Sequence, residues 1–376
     1  MRSETRLALV GGGFIAGAHD AAWRVLPLFF PELPRLRRLV VCEVEEERAR
    51  QAASRLDFEQ SEVGWEKAVR RPDVDLVVIA TPPDLHREIA LAAIGAGKHV
   101  FCEKPLARSA GEAEEMCRAA EKAGVVHVVG FNLRKAPALQ QAARMIRDGS
   151  LGEVLHVSGR YFQDHGRDPS RPASWRYDSA RAGSGAIGDL GSHLLDLAGA
   201  LAGEITSVVA VARTVYGERG SGEKTVRSDV DDCAAWLARF DSGSTGTFEV
   251  SRLAAGRRNQ LAIEVNGRKG SIAFDWERSN ELRHFSPDDP ADRQGFRTIL
   301  IGPANPGYVS AIPIAGIGVG FLETMVAQAA DLVKTISGAP VDSPLPTFRD
   351  GWRNCRLINA ILESSQRGSW VDVAKT

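Results

Sequence analysis

Residues 7–16 read Leu-Ala-Leu-Val-Gly-Gly-Gly-Phe-Ile-Ala, a short apolar run followed by three glycines. The apolar run predicts a buried strand, the glycines predict a tight turn, and the residues up to about Val25 predict a helix. Strand and helix patterns then alternate as far as Val129. This alternation predicts an α/β fold whose first domain is a doubly wound parallel sheet.

The remaining elements of the first domain follow from apolar runs and helical spacing. Four more strands are predicted at Arg38–Cys42, Val74–Ala80, His99–Cys102 and Val125–Val129, and three more helices at Glu45–Leu56, Leu85–Gly95 and Ala110–Ala123. Val74–Ala80 is nearly all apolar, as expected of a parallel strand that is buried on both faces.

The second half has a different character, with alternating patterns that predict β-strands and hairpins. A helix is predicted at Pro137–Arg147, strands at Val154–Tyr161, Ile205–Val215, Ala234–Phe240, Thr245–Arg252, Leu261–Val265 and Ser271–Trp276, and closing helices at Phe321–Ile336 and Trp352–Ser365. Residues 302–318 have no clear period and predict a long loop. We therefore predict two domains, residues 1–131 and residues 132–376, the second an α+β domain with a large, mainly antiparallel sheet.

Composition limits the class of protein. A chain of 376 residues favours two domains, and a net charge of −1 gives no electrostatic reason to expect nucleic acid or an anionic membrane as partner. The five cysteines are scattered and form no Cys-x-x-Cys pair, which argues against a disulfide framework and against a zinc site. Met1–Arg6 is charged and no long apolar run follows, so we predict a cytoplasmic protein.

The glycine turn fits the pattern Gly-x-Gly-x-x-Ala that binds dinucleotides. Gly11 permits the tight turn, Gly13 lets a pyrophosphate approach the backbone, and the small Ala16 lets the helix pack on the sheet. The N-terminus of the helix then faces the phosphates. Glycine-rich turns are common, so the pattern alone leaves a purely structural turn as an open alternative.

Glu43, at the end of the second predicted strand, is placed to accept the ribose hydroxyls of adenosine. The distance from Gly11 is longer than the usual ~20 residues, and Leu26–Pro34 is predicted to be an insertion that explains it. A carboxylate with no Arg or Lys until Arg48 favours NAD over NADP, because a 2′-phosphate would meet like charge. The alternative is that Glu43 is a solvated strand end.

Lys104 follows a predicted parallel strand, at the edge where such sheets bind ligands, and can donate a hydrogen bond to a substrate oxygen. Asp189 and His193 are four residues apart, so in a helix beginning near Asp189 they share one face. His193 is suited to take a hydroxyl proton while hydride leaves the same carbon. The alternatives are a surface lysine, an N-capping aspartate with an ordinary helix histidine, and a structural role for Asp196.

At these residues the chain resembles the glucose–fructose oxidoreductase, inositol dehydrogenase and rhizopine-catabolism (Gfo/Idh/MocA) family. The resemblance covers essentially the whole chain. Its markers are Gly-x-Gly-x-x-Ala at 11–16, Thr-Pro-Pro-x-x-His at 81–86, Glu-Lys-Pro at 103–105 and Gly-Asp-Leu-Gly-Ser-His-Leu-Leu-Asp at 188–196. Each marker is weak alone, whereas four in order at these spacings are specific.

The resemblance implies an N-terminal NAD-binding Rossmann domain and a C-terminal domain that binds substrate and whose open sheet forms a homo-oligomer, a dimer or a tetramer. It implies Lys104, Asp189 and His193 as the catalytic set that oxidises a secondary alcohol, with Arg176 as a further substrate contact. The implied cofactor contacts are Gly11, Gly13, Phe14, Ile15, Glu43, Thr81, Pro82, Leu85, His86, Glu103, Lys104, Asn132, Trp175 and Arg176. No metal is expected. His86 is predicted to line the cofactor groove.

Ser174–Ala186 most resembles the branch that acts on inositols, L-glucose and levoglucosan. That branch often has Gly-His in the late loop, where this chain has Gly316-Ile317-Gly318, so the substrate is predicted to be less polar there, as in a deoxy sugar or an aryl glycoside. The function predicted is NAD-dependent oxidation of a cyclic polyol, sugar or glycoside. An NAD-recycling glycosidase and a non-catalytic NAD-binding sensor are the alternatives.

Overall fold

The structure is a computed structural model that describes residues 4–220, 222, 225–310, 313–341 and 343–373. The start of the predicted N-terminal segment, Met1–Ser3, and residues 311 and 312 of the predicted late loop lie outside the described residues. The chain divides into two units. The first contains the residues up to Asn132 and Phe321–Trp352, and the second contains Leu133–Tyr308 and the residues from Arg353 onward.

In the first unit, the described strands form one parallel sheet of six strands, in the order β3-β2-β1-β4-β5-β6. The strands are β1 (Glu4–Val10), β2 (Arg35–Glu43), β3 (Gln60–Val63), β4 (Leu76–Ile79), β5 (His99–Cys102) and β6 (His127–Val129), and the helices between them are α1 (Phe14–Phe29), α2 (Glu46–Leu56), α3 (His86–Gly95) and α4 (Ala110–Ala123). This confirms the doubly wound sheet. The order reverses between β1 and β4, which is where such sheets bind ligands.

Two features of this unit differ from the prediction. Strand β3 was missed because Gln60–Val63 is largely polar and lies at the edge of the sheet, where no apolar run is required. Helix α1 is longer than predicted and contains Pro27 near its end, where the missing N–H removes one hydrogen bond from the last turns. The predicted insertion is therefore partly the end of α1 and partly the connection to β2.

The second unit is built on a sheet of nine strands among the described residues, in the order β16-β15-β14-β13-β7-β12-β11-β8-β17. Its elements are α5 (Pro137–Arg147), β7 (Val154–Phe162), α6 (Ser179–Ala182), α7 (Ser192–Ala202), β8 (Ile205–Arg213), β9 (Glu218–Arg219), β10 (Val226–Arg227), β11 (Cys233–Phe240), β12 (Thr245–Ser251), β13 (Gln260–Gly267), β14 (Gly270–Asp275), β15 (Glu281–Phe285), β16 (Arg297–Leu300) and β17 (Val371–Asp372). Neighbouring strands are antiparallel except β7 and β12, which confirms the predicted mainly antiparallel sheet.

One face of this sheet is covered and the other is open. Burial alternates along β11 and β12, where inward-facing Trp236 and Phe248 are buried and Leu237 is exposed. Residues of α5 and α7 and the later part of the last helix share a core with the buried side chains of the sheet. The period-two alternation therefore separates a helix-covered face from an open one.

The last two helices are α8 (Phe321–Ile336) and α9 (Phe348–Arg367). The predicted domain boundary at residue 132 assigned both helices to the second domain. In the structure α8 belongs to the first unit, because Met325, Val326 and Val333 join the core formed by β1 and α1. Among the described residues, no helix has both the length and the apolar character needed to span a membrane.

The short loop between α6 and the helical stretch that leads into α7 contains Gly185, which gives a test of the packing in the second unit. A methyl group added at Gly185 would lie 1.8 Å from the backbone oxygen of Asp231, whereas one added at Gly199, inside α7, would meet no heavy atom within 4 Å. We expect Gly185→Ala to destabilise the protein by about 3 kcal/mol through overpacking. Gly199→Ala should stabilise it by about 0.5–1 kcal/mol. Thermal unfolding followed by circular dichroism checks both, and equal midpoints for the two variants would contradict the packing described.

Candidate active site

The candidate cofactor site in the first unit begins at the glycine turn between β1 and α1. Gly11 has a φ of +93°, and a Cβ there would lie 2.8 Å from the backbone oxygen of Ala80, so glycine is required. At Gly13 the position of a Cβ is open, with no heavy atom within 4 Å. Helix α1 begins at Phe14 with no capping side chain and no acidic residue in its first turn. Its first N–H groups, including those of Phe14 and Ile15, thus fit the pyrophosphate of a dinucleotide.

Glu43 lies beside this turn at the end of β2. Its Oε1 accepts a hydrogen bond from the Gly12 N–H at 2.6 Å, and its Oε2 accepts one from the Val44 N–H at 3.3 Å. The carboxylate is thus bound to the glycine turn, and not only solvated. Arg55 of α2 donates to the Gly12 carbonyl, a contact that the sequence spacing did not reveal. The negative charge on Glu43 supports the expectation of ribose hydroxyls over a 2′-phosphate.

The turn after β4 contains Thr81, Pro82 and Leu85. The hydroxyl oxygen of Thr81 is buried and has no hydrogen-bond partner in the described structure, so a polar group of a bound cofactor would satisfy it. The His86 ring does not line a groove as predicted, because it is fully buried. Its nitrogens lie 2.9 Å from the Thr81 carbonyl and 3.1 Å from the Pro105 carbonyl. Burial lowers the pKa of His86, while the carbonyl contacts oppose that shift, and the ring packs between the two turns.

Glu103 and Lys104 follow β5. The Glu103 carboxylate is buried, and its Oε1 lies 2.7 Å from Nε2 of His19 in α1. Its Oε2 accepts the Lys104 N–H at 3.2 Å, and the Lys104–Pro105 peptide bond is cis. Lys104 itself is half-buried. Because β1, β4 and β5 are adjacent and parallel, Gly11, Thr81 and Lys104 lie at the same edge of the sheet.

Asn132 lies after β6 at the end of the first unit. Its side-chain amide donates to the Thr324 hydroxyl at 2.8 Å, and that hydroxyl donates to the Phe321 carbonyl at 2.7 Å. The predicted cofactor contact is therefore also the residue that joins the end of β6 to the first turn of α8.

In the second unit, Asp189 and His193 lie on one continuous helical stretch. It opens at Ala186, passes through a π-helical turn at Ile187–Gly191, and continues as α7. The Asp189 N–H already donates to the Gly185 carbonyl at 2.9 Å. The alternative of an N-capping aspartate is therefore wrong, because Asp189 lies inside the helical stretch.

Tyr161, a residue that the sequence reasoning did not select, lies close to His193 and within electrostatic reach of Asp189. The rings of Tyr161 and His193 lie 6.1 Å apart. Burial raises the pKa of Tyr161, and the Asp189 charge raises it further. Burial lowers the pKa of His165, and the Asp189 charge opposes that shift. His165 therefore also lies near Asp189. Alternation along β7 puts Tyr161 on the helix-covered face and was the available signal for it.

The loop before this helix is held by Asp231. Its two carboxylate oxygens accept the N–H groups of Gly185 and Ile187, each at 2.7 Å. Burial raises the pKa of Asp231, and these two hydrogen bonds oppose that shift. Asp231 therefore positions the turn that carries Asp189. Nothing local in the sequence indicated this role, because the partners are far apart along the chain.

Trp175 and Arg176 stand next to an anchored tyrosine. The Arg176 guanidinium lies 4.4 Å from the centre of the Trp175 ring. Tyr177 contacts the buried guanidiniums of Arg219 at 4.4 Å and Arg252 at 5.2 Å. Arg219 is paired with the buried Asp232 at 2.7 Å and donates to the Gly166 carbonyl. These cation–π contacts fix the segment that presents Trp175 and Arg176.

Asp196 has the structural role that the sequence left open. It accepts a hydrogen bond from Nε of Arg134 at 2.7 Å and a second from the other side of the same guanidinium. The carboxylate is buried, and this bidentate pair joins α7 to the segment before α5. Asp196 therefore supports the helix that carries His193.

Comparison with known proteins agrees with this arrangement. A family profile described as an oxidoreductase family with an NAD-binding Rossmann fold matches residues 5–131, and one described as a GFO/IDH/MocA C-terminal domain matches residues 139–273. Levoglucosan dehydrogenase of Pseudarthrobacter phenanthrenivorans is 42% identical over 98% of this chain and 97% of its own length. Myo-inositol 2-dehydrogenase of Thermotoga maritima is 30% identical over 62% of this chain and 66% of its own length.

A solved structure of levoglucosan dehydrogenase, in complex with NADH and levoglucosan, aligns with a TM-score of 0.94 at 41% identity. The alignment covers 99% of this chain and all of that one. The fold, the two profile matches and the likeness along the full length point to the same conclusion. The chain belongs to the Gfo/Idh/MocA family of NAD-binding oxidoreductases.

Proposed function

We propose that the protein uses NAD to oxidise a secondary alcohol of a cyclic sugar, polyol or glycoside, and that levoglucosan is the first substrate to test. The observation that carries this proposal is likeness along the full length to a levoglucosan dehydrogenase. The glycine turn, Glu43 and the uncapped start of α1 support NAD as the cofactor. When bound, NAD supplies the carbon that accepts the hydride.

Lys104, Asp189 and His193 are the proposed catalytic set. His193 takes the hydroxyl proton, because imidazole has an accessible lone pair near neutral pH. Lys104 donates a hydrogen bond to the same oxygen and stabilises the negative charge that develops on it. Asp189 orients His193 or a neighbouring hydroxyl of the substrate. The contacts of Asp231 and Asp196 support this assignment, since they hold the helical stretch that carries both residues.

The late loop supports a substrate with an apolar feature. Ile317 is 40% exposed. Its carbonyl accepts the Tyr308 hydroxyl at 2.7 Å, and nearby Val319 exchanges two hydrogen bonds with the Asn280 side chain, at 2.7 and 3.1 Å. The loop is therefore fixed where it presents an aliphatic side chain. We propose that Ile317 favours an anhydro or deoxy sugar or an aryl glycoside over a fully hydroxylated ring.

Removal of the proposed base, His193, or of the proposed hydrogen-bond donor, Lys104, should abolish most turnover. We expect Lys104→Met and His193→Ala to lower kcat for levoglucosan oxidation by about 10²–10⁴-fold, the usual contribution of a positioned acid or base. NADH formation measured by absorbance, across a panel of levoglucosan, inositols, L-glucose and aryl glycosides, checks this. Lys122→Met, which removes an exposed lysine from α4, is the matched control.

Three results would contradict parts of the proposal. Unchanged turnover in both variants would remove the catalytic assignment. Release of free sugar and aglycone without net NADH would favour the NAD-recycling glycosidase. Tight NAD binding with no turnover of any member of the panel would favour the non-catalytic sensor.

Glu43 should set the preference between the two cofactors. In Glu43→Gln the like charge that a 2′-phosphate would meet is removed, so we expect the ratio of kcat/KM for NADP to that for NAD to rise at least about tenfold, because close like charges cost several kcal/mol. Glu45→Gln, at an exposed carboxylate on the same turn, is the control and should leave the ratio unchanged. An unchanged ratio in Glu43→Gln would show that other residues choose the cofactor.

We also propose that the open face of the second sheet forms a homo-oligomer, a dimer or a tetramer. Val209, Val211, Ala235 and Leu237 define an apolar patch on the adjacent strands β8 and β11, with Val211 73% and Leu237 48% exposed. A contiguous exposed apolar patch favours a protein–protein contact.

The cytoplasmic location remains a prediction, and the five cysteines are free in the structure, as a reducing compartment would keep them.

Charge on the apolar patch should disrupt the oligomer. We expect wild-type protein to have the mass of a dimer or tetramer, and Leu237→Glu to have a smaller mass, because a buried unpaired carboxylate is costly at an interface. Light scattering coupled to size exclusion measures both. Val226→Glu, at an exposed valine on β10, is the matched control and should keep the wild-type mass. The same mass for Leu237→Glu and wild type would place the interface elsewhere.

A further inference from the structure

The inference concerns His19, which the catalytic set does not include. His19 lies on α1, the helix whose first turn would bind the pyrophosphate of NAD, and is 5% exposed. Its ring stacks on Trp23 with centroids 5.6 Å apart and meets Phe101 edge-on at 4.9 Å. These two aromatic contacts fix the plane of the ring. Its Nε2 therefore has a fixed direction, toward Oε1 of Glu103 at 2.7 Å.

Glu103 connects this histidine to the backbone of Lys104, the proposed catalytic lysine. A carboxylate only accepts, so Nε2–H of His19 donates to Oε1 while the Lys104 N–H donates to Oε2. Gly130 packs against another side of the Glu103 carboxylate, because a Cβ at Gly130 would lie 3.0 Å from both carboxylate oxygens. The carboxylate is thus enclosed by α1, by the end of β6 and by the backbone of Lys104.

We propose that His19 is a positioning residue, which through Glu103 holds the backbone of Lys104 in the place required for catalysis. The proposal rests on the proposed role of Lys104. Both members of the pair are buried, so the hydrogen bond is not replaced by water when it is lost. A misplacement of about 1 Å in a catalytic group is enough to reduce turnover on the order of 100-fold.

The test compares variants that keep or remove the donor. We expect His19→Leu to lower kcat about 10- to 100-fold while the Kd for NAD changes by less than about threefold, because Lys104 moves and the glycine turn does not. His19→Gln retains an N–H donor at a similar place and should recover kcat to within about threefold of wild type. Asp20→Asn is the control, since buried Asp20 is next to His19 but pairs with Arg24 and Arg38.

Two further measurements separate positioning from a loss of folding. His19→Leu leaves Oε1 of the buried Glu103 carboxylate without its donor, so the double variant His19→Leu/Glu103→Gln, which has no buried charge at this position, is the second variant to test. In a Lys104→Met background, His19→Leu should add less than about a threefold further loss, because residues that act as one unit are not additive. An equal loss in both backgrounds would overturn the proposal.

Hydrogen exchange at the Lys104 amide gives a readout that does not need turnover. In His19→Leu or the double variant, exchange at this amide should be at least about tenfold faster than in wild type and in Asp20→Asn, because its acceptor is no longer held. Unchanged exchange, or a kcat for His19→Gln as low as that for His19→Leu, would refute the proposal. A wild-type protein inactive on the whole sugar panel would instead contradict the proposed function, and hydrogen exchange alone would then decide the role of His19.

Discussion

Parallel pairing of β1 with β4, and of β4 with β5, is the constraint on which the first unit depends. A parallel pair cannot be closed by a tight hairpin, so each strand is followed by a crossover helix and all strands end at the same edge. This brings the glycine turn, the Thr81 turn and the Lys104 segment together, although they are widely separated in the sequence. The reversal of strand order beside β1 leaves a crevice at that edge.

Buried carboxylates hold the backbone around the proposed catalytic residues in each unit. Glu103 accepts the Lys104 N–H, and Asp231 accepts the N–H groups of Gly185 and Ile187 before Asp189. Asp196, three residues after His193 on the same helix, binds the Arg134 guanidinium. Burying a carboxylate is costly unless its oxygens are hydrogen-bonded, so each one requires its partners to stay in place. The proposed catalytic side chains are thus supported by residues that are themselves tightly constrained.

His86 shows how a motif can mislead about a residue while being right about the family, and Asp196 shows that a motif also contains supporting residues. Both belong to the stretches that carry the resemblance. His86 joins two turns from a fully buried position, and Asp196 pairs with Arg134. A motif records which residues a site needs, including those that support it from behind. Only coordinates distinguish a residue that faces a ligand from one that faces the core.

The sequence by itself determined the α/β sheet, the glycine turn, the mainly antiparallel second sheet and the family, because these follow from local periodicity and short spacings. The sequence did not predict strand β3 or the unit to which α8 belongs. An edge strand needs no apolar run, and helical spacing does not say which core a helix joins. Only the tertiary structure showed that His19 pairs with Glu103, that Asp231 binds the Gly185 loop and that Tyr161 lies beside His193. Those contacts join residues far apart in the chain, and no local pattern encodes a contact that arises only when separate elements pack together.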